Sequence, residues 1–166
     1  MAKKSKKKAP ATVNSSGQKV VTSNRKAFHD YFIDDEVEAG IQLRGSEIKS
    51  IRAGNVNLRD AYARIENGEL WLVGGHISPY MQSGAYYNHE PDRPRKLLVH
   101  RKQIDYMQKQ QEAAGFTLVP LRLKLVRGKA KVDIGIAKGK KLYDKRQSLA
   151  ERDAKRQMER ALKSRV

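Results

Sequence analysis

Residues 61–73 read AYARIENGELWLV, and no other stretch restricts the fold as much. Asn67-Gly68 suits the two left-handed positions of a type I′ turn, and β-favouring residues flank it on both sides. A tight hairpin is therefore predicted here, which commits this part of the chain to antiparallel sheet. Other segments share the period-two alternation. Phe28, Asp30 and Phe32 alternate with His29, Tyr31 and Ile33 before a polar break at Asp34-Asp35. Val37, Ala39, Ile41 and Leu43 then alternate with Glu36, Glu38, Gly40 and Gln42. These two runs are read as a pair of antiparallel strands with one face in the core. Leu97, Leu98 and Val99 mark a short strand over 96–100. Thr117 to Val126 is a strand in which Pro120 signals an edge or a bulge, and Lys131 to Ile136 returns after Gly128.

Two helices interrupt the strands. Ser46 is placed to cap a short helix over 47–53 that Gly54 stops. Arg101 to Ala114 carries Ile104, Met107, Gln111 and Ala114 on one face and ends at Gly115. Residues 81–95 form a long polar loop that includes Tyr86 and Tyr87, which have the chemistry to stack on bases. The expected fold is mainly β with short helices: a small antiparallel, OB-like barrel over 24–137, whose closure would remove exposed strand edges.

Charge divides the chain differently. It carries a formal +17, yet residues 1–26 contribute +8 and residues 137–166 contribute +7, leaving about +2 between them. Two cationic arms on a nearly balanced body point to a polyanionic partner. Residues 1–23 hold little to bury and are read as a disordered basic arm. Residues 138–166 form a basic tail. Ser148 and Glu151 match a capping box, and an Ala-rich stripe runs through Met158, Ala161 and Leu162. A helix over 148–164 would be roughly 25 Å long, with little apolar area to bury, and such a helix is marginal alone. The tail is therefore expected to be loose when free and helical on a polyanion.

Several chemistries find no support in the residues. No apolar run approaches the length of a membrane span, and MAKKSKKKAP lacks the apolar core of a signal peptide. The chain has no cysteine, so neither disulfides nor thiolate metal sites are expected, which fits a cytoplasmic address. His29, His76, His89 and His100 have no short ligand spacing, and no metal, cofactor or catalytic residue is expected. Gly135 to Lys140 has the outline of a phosphate loop but lacks a spacer residue and the following Ser or Thr. Lys138, Lys140 and Lys141 are read more simply as phosphate contacts, with Tyr143 between them and Lys145 and Arg146 as a stacking ring.

Three segments carry a family resemblance: NRKAFHDYFIDDEVEAGIQLRGSEIKSIRAGN, RKLLVHRKQID and VDIGIAKGKKLYDKR. In register from Asn24 to Arg146, they resemble the bacterial SsrA-binding protein family, small protein B. The resemblance implies a non-enzymatic, OB-like RNA-binding protein that takes the tRNA-like domain of transfer-messenger RNA to stalled ribosomes for trans-translation. Elongation factor Tu and alanyl-tRNA synthetase would be met indirectly, through that RNA. It implies an RNA-binding surface at the positions of Asn24, Glu38 and Leu98. It also implies a tail that enters the empty decoding site and message channel of the small ribosomal subunit. There Lys138, Lys140, Lys141, Asp144, Lys145 and Arg146 match the family's basic run and its D-K-R. Tyr143 stands where some members carry His, and Leu162 falls where relatives place an apolar residue. A monomer is expected. The rival readings are a permanent ribosomal protein and an RNA-processing enzyme using His29 or His76.

Overall fold

The computed structural model describes residues 17–163 and the backbone of 13–14. Ten strands, four α-helices and a short 3-10 turn at Met81–Ser83 lie along the described residues. Val13–Asn14 (β1) and Gln18–Ser23 (β2) precede helix Arg25–Asp30 (α1) and the long strand Tyr31–Ile41 (β3). Helix Gly45–Arg52 (α2) leads to Val56–Asn57 (β4), Tyr62–Glu66 (β5), Glu69–Val73 (β6) and His76–Ile77 (β7). Arg95–Leu98 (β8), helix Arg101–Ala114 (α3), Thr117–Val126 (β9), Lys129–Gly139 (β10) and helix Leu142–Lys163 (α4) complete the chain.

The main sheet is antiparallel and runs in the order β1-β2-β9-β10-β3-β8-β6-β5. Its far strand, β5, returns to β9 through one residue pair, Ala63 with Leu118. Six strands thus form a ring from β9 round to β9, closed at a single point. Ala39, Leu70, Leu118, Leu123, Val132, Ile134 and Ile136 fill it, joined by Ile51 of α2 and Met107 of α3. Each is almost wholly removed from water. At roughly 25 cal/mol per Å², such burial is the main drive to fold. A smaller cluster, Ala27, Val119, Leu121 and Ala137, lies beneath α1. Gly135 is needed where these layers meet: a Cβ there would lie 2.9 Å from Cδ1 of Leu121.

The hairpin forms as predicted, with Asn67 at φ 52° and Gly68 at φ 71° joining β5 and β6. Helix α3 spans the predicted residues and stops at Gly115. Of the edge or bulge expected at Pro120, the structure has a bulge beside it, where the register of β9 against β10 slips.

Other expectations are corrected. Phe28 to Asp30 is not a strand. Asn24 caps α1 by accepting the Ala27 N–H at 3.2 Å. The chain then runs as one strand straight through Asp34-Asp35, where the pairing with β10 shifts by a residue. Ser46 does not cap α2. The Glu47 carboxylate does so from within the helix, accepting the Arg44 N–H at 2.6 Å. Gln18–Ser23 is a strand on the edge of β9, inside the segment read as a disordered arm. Residues 1–12 of that segment lie outside the described residues. β10 continues past Ala137 to pair Lys138 with Phe32 and Gly139 with Tyr31. The tail helix starts at Leu142, so Ser148 lies inside it, with its hydroxyl donating to the Asp144 carbonyl at 2.8 Å.

Candidate nucleic-acid interface

Strands β3, β10 and β9 turn one face to solvent, and their register sets its pattern. Gly40 is paired with Leu98 on one side and Lys131 on the other, and Lys131 faces Lys124. One step along, Glu38, Asp133 and Arg122 form the next row. A lysine row and a row with two carboxylates thus lie next to each other along the strands, and their charges pair from row to row. Lys124 Nζ lies 2.6 Å from Glu38 and 2.8 Å from Asp133, and Lys131 also bonds Glu38. The hydrogen bonds from Lys124 and Lys131 hold the Glu38 carboxyl below the usual range. Burial would lower the Lys124 pKa, but its bonds to Asp133 and Glu38 outweigh this and raise it. Arg122 reaches Glu36 at 3.5 Å and stacks over Phe28 at 5.5 Å.

The centre of this face is nearly neutral, because Arg122, Lys124 and Lys131 are each matched by a carboxylate. It supplies ordered hydrogen-bonding groups but little net attraction for phosphate. Within it Leu98 is 54% exposed, an apolar ridge between two cavities. One, of about 420 Å³, is floored by Gly40, Ile41, Leu43 and Ile48 and rimmed by Arg44, Lys129 and Lys131. The other, of about 520 Å³, is lined by Glu38, Val99, His100 and Gln103. Gly40 keeps the floor low, since a Cβ there would approach Leu98 Cβ to 3.3 Å. An apolar floor with a cationic rim suits an unstacked base whose phosphates stay in water.

The structure brings Glu38 and Leu98 together but places Asn24 elsewhere. Asn24 is 4% exposed, in the gap where the edge partner of β9 changes from β2 to β5. Its side-chain amide donates to the carbonyls of Leu58 at 2.8 Å and Pro120 at 3.1 Å, and its own N–H donates to Leu121 at 2.7 Å. As placed it has no free donor for a ligand. What it does is fix α1, and with it Arg25 and Lys26, against the ring.

Helix α4 leaves the body beside α1. The Lys140 N–H donates to the Asp30 carbonyl at 2.8 Å, its ammonium lies 4.8 Å from the Phe32 ring centre, and Lys145 pairs with Asp30 at 3.3 Å. His29 bonds the same carboxylate at 2.8 Å and, with Lys145, holds Asp30 below its ordinary pKa. Asp144 caps the helix by accepting the Lys141 N–H at 3.3 Å. Lys138, Lys141, Tyr143 and Arg146 are exposed, and α4 buries no residue along its length. Leu162 points into solvent near its end. Tyr86 and Tyr87 are also bare to water in the long loop.

The sequence reading missed a buried ion-pair network. Glu47 accepts from Arg95 at 2.8 Å and from Arg93 at 2.6 Å, and both Glu47 and Arg95 are fully buried. Burial pushes the Glu47 carboxyl up, but its bonds from Arg93, the Arg44 backbone and Arg95 together bring it down. Arg95 also donates to the carbonyls of Gly75 and Pro91, tying the long loop to the turn between β6 and β7. His89 is pinned too, between Ser46 and the Ile77 carbonyl. His76 bonds Asp92, and among the described residues no His and carboxylate group is arranged to hold a metal. No described helix is long and apolar enough to cross a membrane.

Comparison with known proteins gives a consistent result. The SmpB protein family model matches residues 21–164. The SsrA-binding protein of Roseiflexus sp. (strain RS-1) is 64% identical over 149 residues, covering 90% of this chain and 94% of that protein. The SsrA-binding protein of Carboxydothermus hydrogenoformans is 56% identical over 148 residues, covering 89% and 99%. A solved chain from "tmRNA-SmpB: a journey to the center of the bacterial ribosome" superposes with a TM-score of 0.62. It is 47% identical, over 74% of this chain and 85% of that one.

Proposed function

The chain belongs to the SmpB protein family, and on that footing we propose that it is a non-enzymatic adaptor for ribosome rescue in the cytoplasm. Its ring of strands binds the tRNA-like domain of transfer-messenger RNA. Its tail occupies the decoding site and message channel of a ribosome whose message has run out. It acts as a monomer, and elongation factor Tu and alanyl-tRNA synthetase meet it only through the RNA.

The observation that carries this reading is the contrast between two surfaces. The face around Glu38 and Leu98 is ordered and electrically balanced, which suits recognition of a shaped RNA. Helix α4 is cationic and buries nothing, which suits a cavity walled by RNA. Glu38 orients Lys124 and Lys131 toward the RNA, and Leu98 packs on a nucleotide's apolar face. Asn24 contributes by holding α1 in place. On the ribosome, Lys138, Lys140, Lys141, Lys145 and Arg146 contact phosphates. Tyr143 stacks on a base, Asp144 keeps the helix start formed, and Leu162 supplies an apolar contact further along.

A competition assay tests this reading: the tRNA-like domain of transfer-messenger RNA against ordinary tRNA, across a salt series. Salt weakens the shared phosphate contribution, so a recognised partner keeps its advantage as salt rises. Equal loss of both RNAs would remove specific recognition.

A further inference from the structure

Between the body and the tail lies a cavity of about 540 Å³, lined by Ser23, Asn24, Arg25, Lys26, His29, Asn57, Arg59 and Arg152. No carboxylate is among its walls. Lys26 is satisfied by Asp60 at 2.7 Å and His29 by Asp30 at 2.8 Å, both from outside the cavity. Arg25, Arg59 and Arg152 are different. Among the described residues none of their guanidinium groups makes a hydrogen bond or an ion pair. The nearby Asp60 carboxylate feels Arg59 but is bonded to Lys26.

These three arginines come from separate elements. Arg25 opens α1, Arg59 follows β4, and Arg152 lies on α4. On α4, Arg152 lies seven residues beyond Lys145, which pairs with Asp30 of α1, and four beyond Ser148, which accepts from Lys140, so it shares their side. With nothing between them, three like charges around one cavity oppose the approach of α4 to the body. A dianion or phosphodiester would reverse that sign and give each guanidinium its preferred planar partner.

We infer that this cavity binds a backbone phosphate of the RNA, and that the phosphate ties α4 to the body and fixes the direction in which the tail departs. The inference rests on the RNA-binding reading above and adds to it a coupling: occupying the body with RNA orients the tail. Asn57 supplies an amide beside the arginines, and Asn24 holds Arg25 in place. The site has two halves, so neither the body nor the tail alone completes it.

Two measurements on the full chain test it. The first is the salt dependence of binding to the tRNA-like domain, for the parent and for Arg59→Ala and Arg152→Ala. Arg160→Ala, further along α4, is the control. Each cavity variant should lower the log–log salt slope by about one, and the control should leave it unchanged. The second uses the absence of cysteine: labels at Glu112→Cys and Gln157→Cys report the distance from body to tail. Adding the RNA should narrow that distance distribution in the parent and leave it broad in Arg59→Ala. Unchanged slopes in both cavity variants, or equal narrowing with and without Arg59, would overturn the site while leaving RNA binding intact. Failure of the parent to bind the RNA would instead overturn both.

Discussion

Asn24 satisfies the Ala27 N–H and the carbonyls of Leu58 and Pro120 with one side-chain amide. No hydrophobic pattern announces this, because two of those partners lie 34 and 96 residues away. Asn24→Ala should therefore destabilise the fold by about 2–4 kcal/mol, combining a lost cap with two unpaired buried carbonyls. Urea denaturation reads this directly; an unchanged midpoint would deny Asn24 its place as a strut. Glu38 makes the opposite case. It is on the surface, so Glu38→Ala should leave stability within about 1 kcal/mol. Affinity for the tRNA-like domain should drop by about tenfold or more. A gel shift with unchanged affinity would take Glu38 out of the interface. Glu47 was equally hidden in the sequence, since its arginine partners lie 46 and 48 residues on. Its folded pKa is depressed, so the stability it contributes is complete above the ordinary Glu value of about 4.3. That contribution is lost as pH falls through the lower folded value. Glu47→Gln should cost about 3–5 kcal/mol at neutral pH, because Arg95 stays buried without its counter-charge. Its stability should also fall less steeply below pH 4 than the parent's, when the two are compared by denaturant melts at each pH.

Elements were legible where their signals are local. The Asn67-Gly68 turn and the Gly115 stop each fix a backbone conformation through two or three neighbouring residues. Helix α1 was not legible, because Phe28, Asp30 and Phe32 alternating with His29, Tyr31 and Ile33 can be read with a strand period when the cap at Asn24 is unknown. α4 shows the limit from the other side. The capping-box reading gives a helix over 148–164, but the helix starts at Leu142, where Asp144 and the Asp30 anchor on α1 set it, not Ser148. Those anchors hold only its first turns, and residues 149–163 touch nothing that buries them. A helix so placed gains little beyond its own propensity. In the free chain, amide exchange over 149–163 should be slowed by less than about tenfold relative to an unstructured chain. On stalled ribosomes it should slow by orders of magnitude more. Strong protection in the free chain would mean that α4 is stable without RNA around it.

Across the whole molecule, the charge lies apart from the ordered face. The chain carries +17, yet the stretch between the arms carries only about +2. Its exposed sheet face pairs nearly every cation it presents. Affinity from unpaired charge and selectivity from a paired surface therefore belong to different parts of one chain. This division was visible in the sequence as charge statistics, but which strands would form the balanced face was not. Register decides that, and register is a property of the closed ring. Removing α4 after Lys141, which leaves β10 whole, tests the division most directly. The truncated chain should bind the tRNA-like domain within about tenfold of the full chain, as loss of one phosphate contact implies, while peptide tagging on stalled ribosomes disappears. Tagging that persists without α4, or RNA binding that collapses with its removal, would contradict the account.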